Sequence, residues 1–157
     1  MSTDVRVCIG GTADFVRRMS ATIRSAQSWG RDASVTVMTA NLAEIRSMVL
    51  AERPNVLVID IGLKTSRRDA IWMRNLLTQL RERFGHDLYI ILAITSSERF
   101  LAAGDLIFTG EDSLGPSGII DNLIIAPPPA VPSILSLEDQ LRDALKYVVE
   151  VLEASPE

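Results

Sequence analysis

The sequence is poor in the residues that most often carry chemistry, because it has one cysteine and one histidine. A single cysteine excludes an intrachain disulfide and is typical of a reducing compartment, so we expect a cytoplasmic protein. Cys8 and His86 together leave little material for a zinc site or a catalytic triad. Cys8 also lies in an apolar segment, where a buried, inert thiol is expected. These shortages argue against an enzyme, and we expect no metal and no cofactor.

Long apolar runs and dense basic clusters are missing as well. No run reaches the roughly 18 apolar residues that a membrane span requires, and we expect no secretory signal at the N-terminus. The net charge is −4 and the 16 basic residues are scattered, which argues against a nucleic-acid-binding surface. The densest basic group is predicted to be a solvated loop and comprises Lys64, Arg67 and Arg68. We therefore expect neither a membrane nor a nucleic acid as a partner.

What the chain has in abundance is apolar residues in short segments. Hydrophobic residues make up 47% of the chain and charged residues 23%, which is the profile of a globular protein. A length of 157 residues predicts a single domain over residues 1–157. Residues 109–119 are rich in turn formers and are predicted to form a surface loop of this domain.

Apolar strand-like segments alternate with segments of helical periodicity. The strands are predicted over residues 5–9, 34–38, 56–61, 88–94 and 123–125. The helices are predicted to begin at Thr12 or Asp14, Asn41, Asp69, Ser97 and Ser136. They are predicted to end near Ser25, Arg53, Gly85, Phe108 and Ala154. This alternation predicts an α/β fold in which a doubly wound, five-stranded parallel sheet is covered by helices on both faces.

Ligands of such sheets bind outside the carboxyl ends of the strands, so the residues at those ends are the candidate site. The chain places Gly10 and Gly11, Asp60, Thr95 and Ala126 there. This layout resembles the receiver domain of bacterial response regulators over about residues 4–153. The resemblance implies a flavodoxin-like (βα)5 fold with strand order 2-1-3-4-5.

Two positions carry the resemblance. In receivers the third strand ends in an aspartate that accepts a phosphoryl group, and Asp60 follows the apolar run Val56–Ile59 in the same way. The fourth strand of receivers ends in Thr or Ser, whose hydroxyl contacts the phosphoryl group, and Thr95 is similar in position. The resemblance therefore implies that Asp60 is the phosphoacceptor position and Thr95 the phosphoryl-contact position.

Other receiver positions are degenerate in this chain. Receivers hold Mg²⁺ with a pair of acidic residues after the first strand, where this chain has Gly10 and Gly11. The nearest carboxylate, Asp14, is predicted to lie within the following helix. Receivers also place a Lys before the Pro after the fifth strand, where this chain has Ala126. The aromatic switch residue has no counterpart either, since Leu123 falls nearest its place.

These losses matter because phosphoryl transfer depends on positioning and charge stabilisation, and Mg²⁺ is usually held through carboxylates. We therefore predict a signal-transduction interaction module that acts without phosphorylation. Two alternatives stay open. The first is a receiver that is still phosphorylated on Asp60. The second is a small nucleotide- or phosphate-binding enzyme that uses Gly10, Gly11 and Thr12, although no complete phosphate-binding motif is present.

The predicted partner surface is the last helix, whose apolar side is wide. Its candidate residues are Tyr147, Val148, Val151 and Leu152. An exposed surplus among them would mark a docking site for a protein partner, for an output domain of a longer chain, or for a second copy in a homodimer. The alternative is a plain amphipathic helix packed on the sheet.

Overall fold

The computed structural model describes residues 3–25, 29, 33–60, 67–95, 120–126 and 135–154. The strands are β1 (Thr3–Gly10), β2 (Ala33–Ala40), β3 (Val56–Asp60), β4 (Tyr89–Ile94) and β5 (Asn122–Ile125). The helices are α1 (Ala13–Ser25), α2 (Ile45–Glu52), α3 (Arg67–Phe84) and α4 (Leu137–Ala154). Short 3₁₀ turns at Leu42–Glu44 and Gly85–Asp87 precede α2 and follow α3. None of these helices is both long enough and apolar enough to cross a membrane.

The five strands form one parallel sheet in the order β2-β1-β3-β4-β5. The predicted fold class and strand order are therefore confirmed. The register aligns the strand ends, because Gly10 pairs with Ile59 and Asp60 pairs with Ala93. As a result, the carboxyl ends of all five strands meet at one edge of the sheet.

Two apolar layers enclose the sheet. Helices α2 and α3 cover one face, and α1 and α4 cover the other. Strand β3 is buried at every position and β4 at every position after Tyr89, which explains their unbroken apolar runs. Burial of this apolar area is the main force that holds the helices on the sheet.

Side-chain caps begin three of the helical segments where the sequence predicts them. Thr12 Oγ1 accepts a hydrogen bond from Phe15 N (3.3 Å), so Thr12 rather than Asp14 caps α1. Asn41 Oδ1 accepts from Glu44 N (3.0 Å) in the turn that leads into α2. Ser136 Oγ accepts from Asp139 N (3.1 Å) at the start of α4. Each cap satisfies an amide that the helix itself leaves unpaired.

Helix α3 departs from the prediction at its beginning. It starts at Arg67, so Asp69 lies within its first turn instead of preceding it. Ile71, which the apolar pattern assigns to the buried face, is 46% exposed. Residues two positions apart are separated by about 200° around a helix axis, so Ile71 and Met73 point to nearly opposite sides. Met73 is the one that faces the sheet. The helix predicted over 97–108 and the loop predicted over 109–119 lie outside the described residues.

An ion pair at the opposite edge of the sheet ties α3 to β4 and β5. Arg81 Nη2 donates to Asp121 Oδ2, and both side chains are less than a sixth exposed. Arg81 Nη1 also donates to the carbonyls of Gly85 (2.6 Å) and Leu88 (2.9 Å). Asp121 Oδ2 accepts from Ile90 N at 2.8 Å. The pair therefore satisfies the backbone where α3 ends and β4 begins.

We expect Asp121→Ala to lower the free energy of unfolding by about 3 kcal/mol, because it leaves the Arg81 guanidinium nearly buried without its carboxylate. Urea denaturation measures the change. Asp14→Ala is the matched control, since it breaks the exposed Arg17–Asp14 pair and should cost less than about 1 kcal/mol. Equal losses from the two variants would contradict the structural role of the Arg81–Asp121 pair.

Candidate functional site

The structure brings the predicted site positions to one edge of the sheet. Asp60 is the last residue of β3, and the pairing of Gly10 with Ile59 places Gly11 beside it. On the other side Asp60 pairs with Ala93, and Thr95 lies two residues further along the chain from Ala93. Ala126 N donates to the carbonyl of Ile94 at 2.8 Å, which places Ala126 next to Thr95. The edge therefore has the order Gly11, Asp60, Thr95, Ala126.

Asp60 is the one carboxylate among the buried side chains of the described residues, with 2% of its surface exposed. The backbone of Gly11 lies directly against it, because a Cβ added to Gly11 would stand 2.9 Å from Asp60 Cβ. That added Cβ would also stand 3.1 Å from Phe15 Cδ2. Gly11 has φ +151°, a conformation that side chains rarely adopt. Position 11 therefore excludes a side chain for reasons of both contact and backbone conformation.

Gly10 is covered by a residue that the sequence analysis did not single out. A Cβ added to Gly10 would lie 1.9 Å from Ile45 Cδ1 and 2.6 Å from Ile45 Cγ1. Ile45 is the first residue of α2 and is fully buried. Its side chain occupies the space that a longer residue at position 10 would need. The sequence shows that Ile45 belongs to the apolar side of a helix, but this pattern does not reveal which residue Ile45 contacts.

Mg²⁺ does not fit the residues at this edge. Such an ion is usually held through one or two carboxylates, and positions 10 and 11 can supply none. Asp14 lies in the first turn of α1, is largely exposed and pairs with Arg17 at 2.7 Å. Within the described ranges there is no group of three or more His, Cys, Asp or Glu side chains that could hold a metal. Positions 10 and 11 therefore place no second carboxylate beside Asp60 for Mg²⁺.

Three other described residues at or near the edge, Ala126, Thr12 and Cys8, supply neither an available nucleophile nor an ammonium. Ala126 presents a methyl group, and its backbone N–H is used by the bond to Ile94. The hydroxyl of Thr12 caps α1 by accepting from Phe15 N. Cys8 is fully buried, and burial raises the pKa of its thiol to about 11, so the reactive thiolate is not populated near neutral pH.

The predicted partner residues on α4 divide into two sets. Tyr147 is 56% exposed and Val151 is 44% exposed, so both lie on the surface. Val148 is 5% exposed and belongs to the core, so it cannot form part of a docking surface. Leu152 is half-buried and packs against the same core. The Tyr147 ring also contacts Tyr89, with ring centroids 6.3 Å apart. The exposed part of the predicted surface is therefore Tyr147 and Val151.

We expect Gly10→Ala to destabilise the fold by roughly 1–3 kcal/mol through overpacking against Ile45, and Ile45→Ala to cost roughly 2–5 kcal/mol through a cavity. In urea denaturation, the double variant should lose about 1 kcal/mol less free energy of unfolding than the two single variants lose in sum, because the new methyl group at position 10 partly fills the cavity left by Ile45→Ala.

Gly85→Ala provides the matched control for this cycle. Gly85 has φ +59°, so its replacement by alanine should lower the free energy of unfolding through backbone strain. An added Cβ at Gly85 has nothing within 4 Å, so this loss and the loss from Ile45→Ala should simply add. Additivity between Gly10→Ala and Ile45→Ala would contradict the contact that we assign to this pair.

Comparison with known proteins finds similarity in fold but not in sequence family. No protein-family model matches the sequence, and no curated protein matches it either. Among solved structures, the REC domain of AraT, a response regulator from Geobacillus stearothermophilus, is 17% identical, with 95% of each chain covered and a TM-score of 0.60. The response regulator domain of Thermotoga maritima CheB is 14% identical, with 97% of this chain and 98% of that chain covered and a TM-score of 0.52.

A third similar structure is a protein described as pilus assembly-related from Burkholderia pseudomallei. It is 19% identical, with 93% of this chain and 90% of that chain covered and a TM-score of 0.51. Identities this low establish a shared architecture and leave the chemistry to be argued from the site. The chain therefore has the fold of a response regulator receiver domain.

Proposed function

We propose that this chain is a signalling module of the receiver fold that binds a protein partner without phosphorylation at Asp60. The observation that carries the proposal is the steric closure of positions 10 and 11. Ile45 fills the space above Gly10, and Gly11 lies against Asp60 in a glycine conformation. A side chain at position 10 would require the Ile45 side chain to move, and one at position 11 would require Asp60 and Phe15 to give way.

Electrostatics also argues against phosphorylation of Asp60. Phosphorylation would turn the Asp60 carboxyl group, which is 2% exposed, into an acyl phosphate that carries about 1.5 to 2 negative charges. In this chain Gly10, Gly11 and Ala126 replace the groups that would hold a cation and an ammonium beside that charge. Loss of one such stabilising contact typically slows a reaction by roughly 10²–10³-fold. Two losses together make phosphorylation of Asp60 too slow to serve as a switch.

The partner surface that we propose is the exposed side of α4. Tyr147 offers a large aromatic contact with little conformational entropy to lose, and Val151 extends the apolar area by one turn. The partner is another protein or an output domain of a longer chain, and the complex forms in the cytoplasm. This role requires no cofactor, nucleic acid or membrane, and the module itself is not an enzyme.

A second candidate function is a receiver that still accepts a phosphoryl group on Asp60. The alignment of Asp60 and Thr95 at neighbouring strand ends favours it, because this is where a phosphoryl group and its hydroxyl contact would lie. The nucleotide-binding alternative has less support, since the Thr12 hydroxyl is engaged as the cap of α1.

Incubation of the purified chain with acetyl phosphate and Mg²⁺, followed by intact-mass measurement, separates these candidates. We expect no adduct that depends on Asp60, because positions 10, 11 and 126 supply neither the carboxylates nor the ammonium that would stabilise the transition state. Asp60→Asn is the test variant, and Asp87→Asn, at an exposed position away from the edge, is its control. Beryllofluoride with Mg²⁺ should likewise leave the melting temperature unchanged. A phosphoryl adduct that Asp60→Asn abolishes and Asp87→Asn retains would establish the second candidate instead.

A further inference from the structure

Helices α2 and α3 leave a groove on the sheet face opposite to α4. Two adjoining cavities of about 380 and 370 Å³ share Arg46 and Gln79 in their walls. Trp72 lies at one end and Leu50 at the other, and they are 45% and 41% exposed. On α3 the walls run from Trp72 to Arg83, which is three helical turns or about 16 Å. The groove therefore has the length and apolar character that suit a docked helix.

The groove is basic although the chain as a whole carries a net charge of −4. Arg46 and Arg83 line it, and neither has a carboxylate within ion-pair distance among the described residues. Among the described residues that line it, Glu82 is the one acidic side chain. Arg46 beside the exposed Trp72, and Arg83 further along the groove, favour an apolar ligand that carries carboxylates.

The exposed stripe of α4 has the complementary character. Asp143, Tyr147, Glu150 and Val151 lie at i, i+4, i+7 and i+8, which places them on one side of the helix, and all four are exposed. Neither Asp143 nor Glu150 forms an ion pair within the part of the chain that the structure describes. The stripe thus combines an aromatic anchor with two carboxylates, which outnumber the one exposed lysine at its border, Lys146, and it spans about 12 Å.

We infer that α4 of one molecule docks in the α2–α3 groove of a second copy, with Tyr147 against the apolar wall and the carboxylates facing Arg46 and Arg83. This inference rests on the proposed function for the exposed side of α4 and names its partner. The two surfaces lie on opposite faces of the sheet, because α2 and α3 cover one face and α1 and α4 the other. The contact is therefore head-to-tail, and a dimer keeps one free groove and one free α4 for further copies.

Sedimentation velocity from micromolar to near-millimolar concentration tests the contact in the complete chain. We expect concentration-dependent growth beyond the dimer that weakens at high salt, since charged groups contribute to it. Arg46→Glu in the groove and Tyr147→Ala on α4 should each weaken association roughly tenfold or more. Two controls should associate like the unmodified chain, namely Arg24→Glu on exposed α1 and Leu135→Ala, which removes a side chain that is 54% exposed before α4.

Mixing the two defective variants gives the decisive result. Arg46→Glu retains an intact α4 and Tyr147→Ala retains an intact groove, so the mixture should form a one-to-one dimer and stop there. A chain that stays monomeric at every concentration would overturn the inference, as would two variants that fail to complement each other.

The remaining outcomes separate this inference from the proposed function. A dimer that Tyr147→Ala disrupts and Arg46→Glu leaves intact would overturn the groove as the partner but retain α4 as a docking surface. Phosphorylation is measured separately with acetyl phosphate, and the association should be unchanged in Asp60→Asn. An Asp60-dependent phosphoryl adduct would sink the proposed function even if the copies associate through the groove.

Discussion

The contact between Ile45 and Gly10 is the constraint on which the candidate site depends. It joins the first residue of α2 to the end of β1 and fills the space next to Gly10 with an aliphatic side chain. Packing of this kind is not easily displaced, because protein interiors are close-packed and an added methylene forces neighbouring atoms to move. In this chain the space next to Gly10, at the carboxyl edge of the sheet, is therefore filled by apolar packing.

The amino and carboxyl ends of the sheet differ in how their buried charged groups are used. At the amino end, Arg81 and Asp121 form a nearly buried ion pair that also satisfies backbone groups of Ile90 and Leu88. At the carboxyl end, Asp60 is buried beside Gly11, where receivers place a second carboxylate. The chain thus keeps the receiver architecture while its charged network serves stability. We propose that functional contacts are made by helix surfaces, chiefly α4 and the groove between α2 and α3.

Much of this architecture could be read from local sequence patterns. The caps at Asn41 and Ser136 and the buried runs of β3 and β4 depend on neighbours in the chain, so periodicity and capping chemistry predict them. The covering of Gly10 by Ile45 joins residues that are 35 positions apart, and no local pattern contains it. Similarly, the wide apolar side of α4 did not reveal that Val148 packs into the core while Tyr147 remains exposed, because that division depends on how the helix is rotated on the sheet.

The central claim is that the carboxyl edge around Asp60 cannot hold a divalent cation. Mn²⁺ takes the same oxygen ligands as Mg²⁺ and broadens the NMR signals of nearby nuclei, so its titration into labelled protein tests the claim directly. We predict that the amide signals of Gly11, Asp60 and Thr95 broaden no more than those of exposed acidic residues elsewhere on the surface. Selective loss of these three signals at low Mn²⁺ concentration would show that the edge binds a cation and would contradict the account.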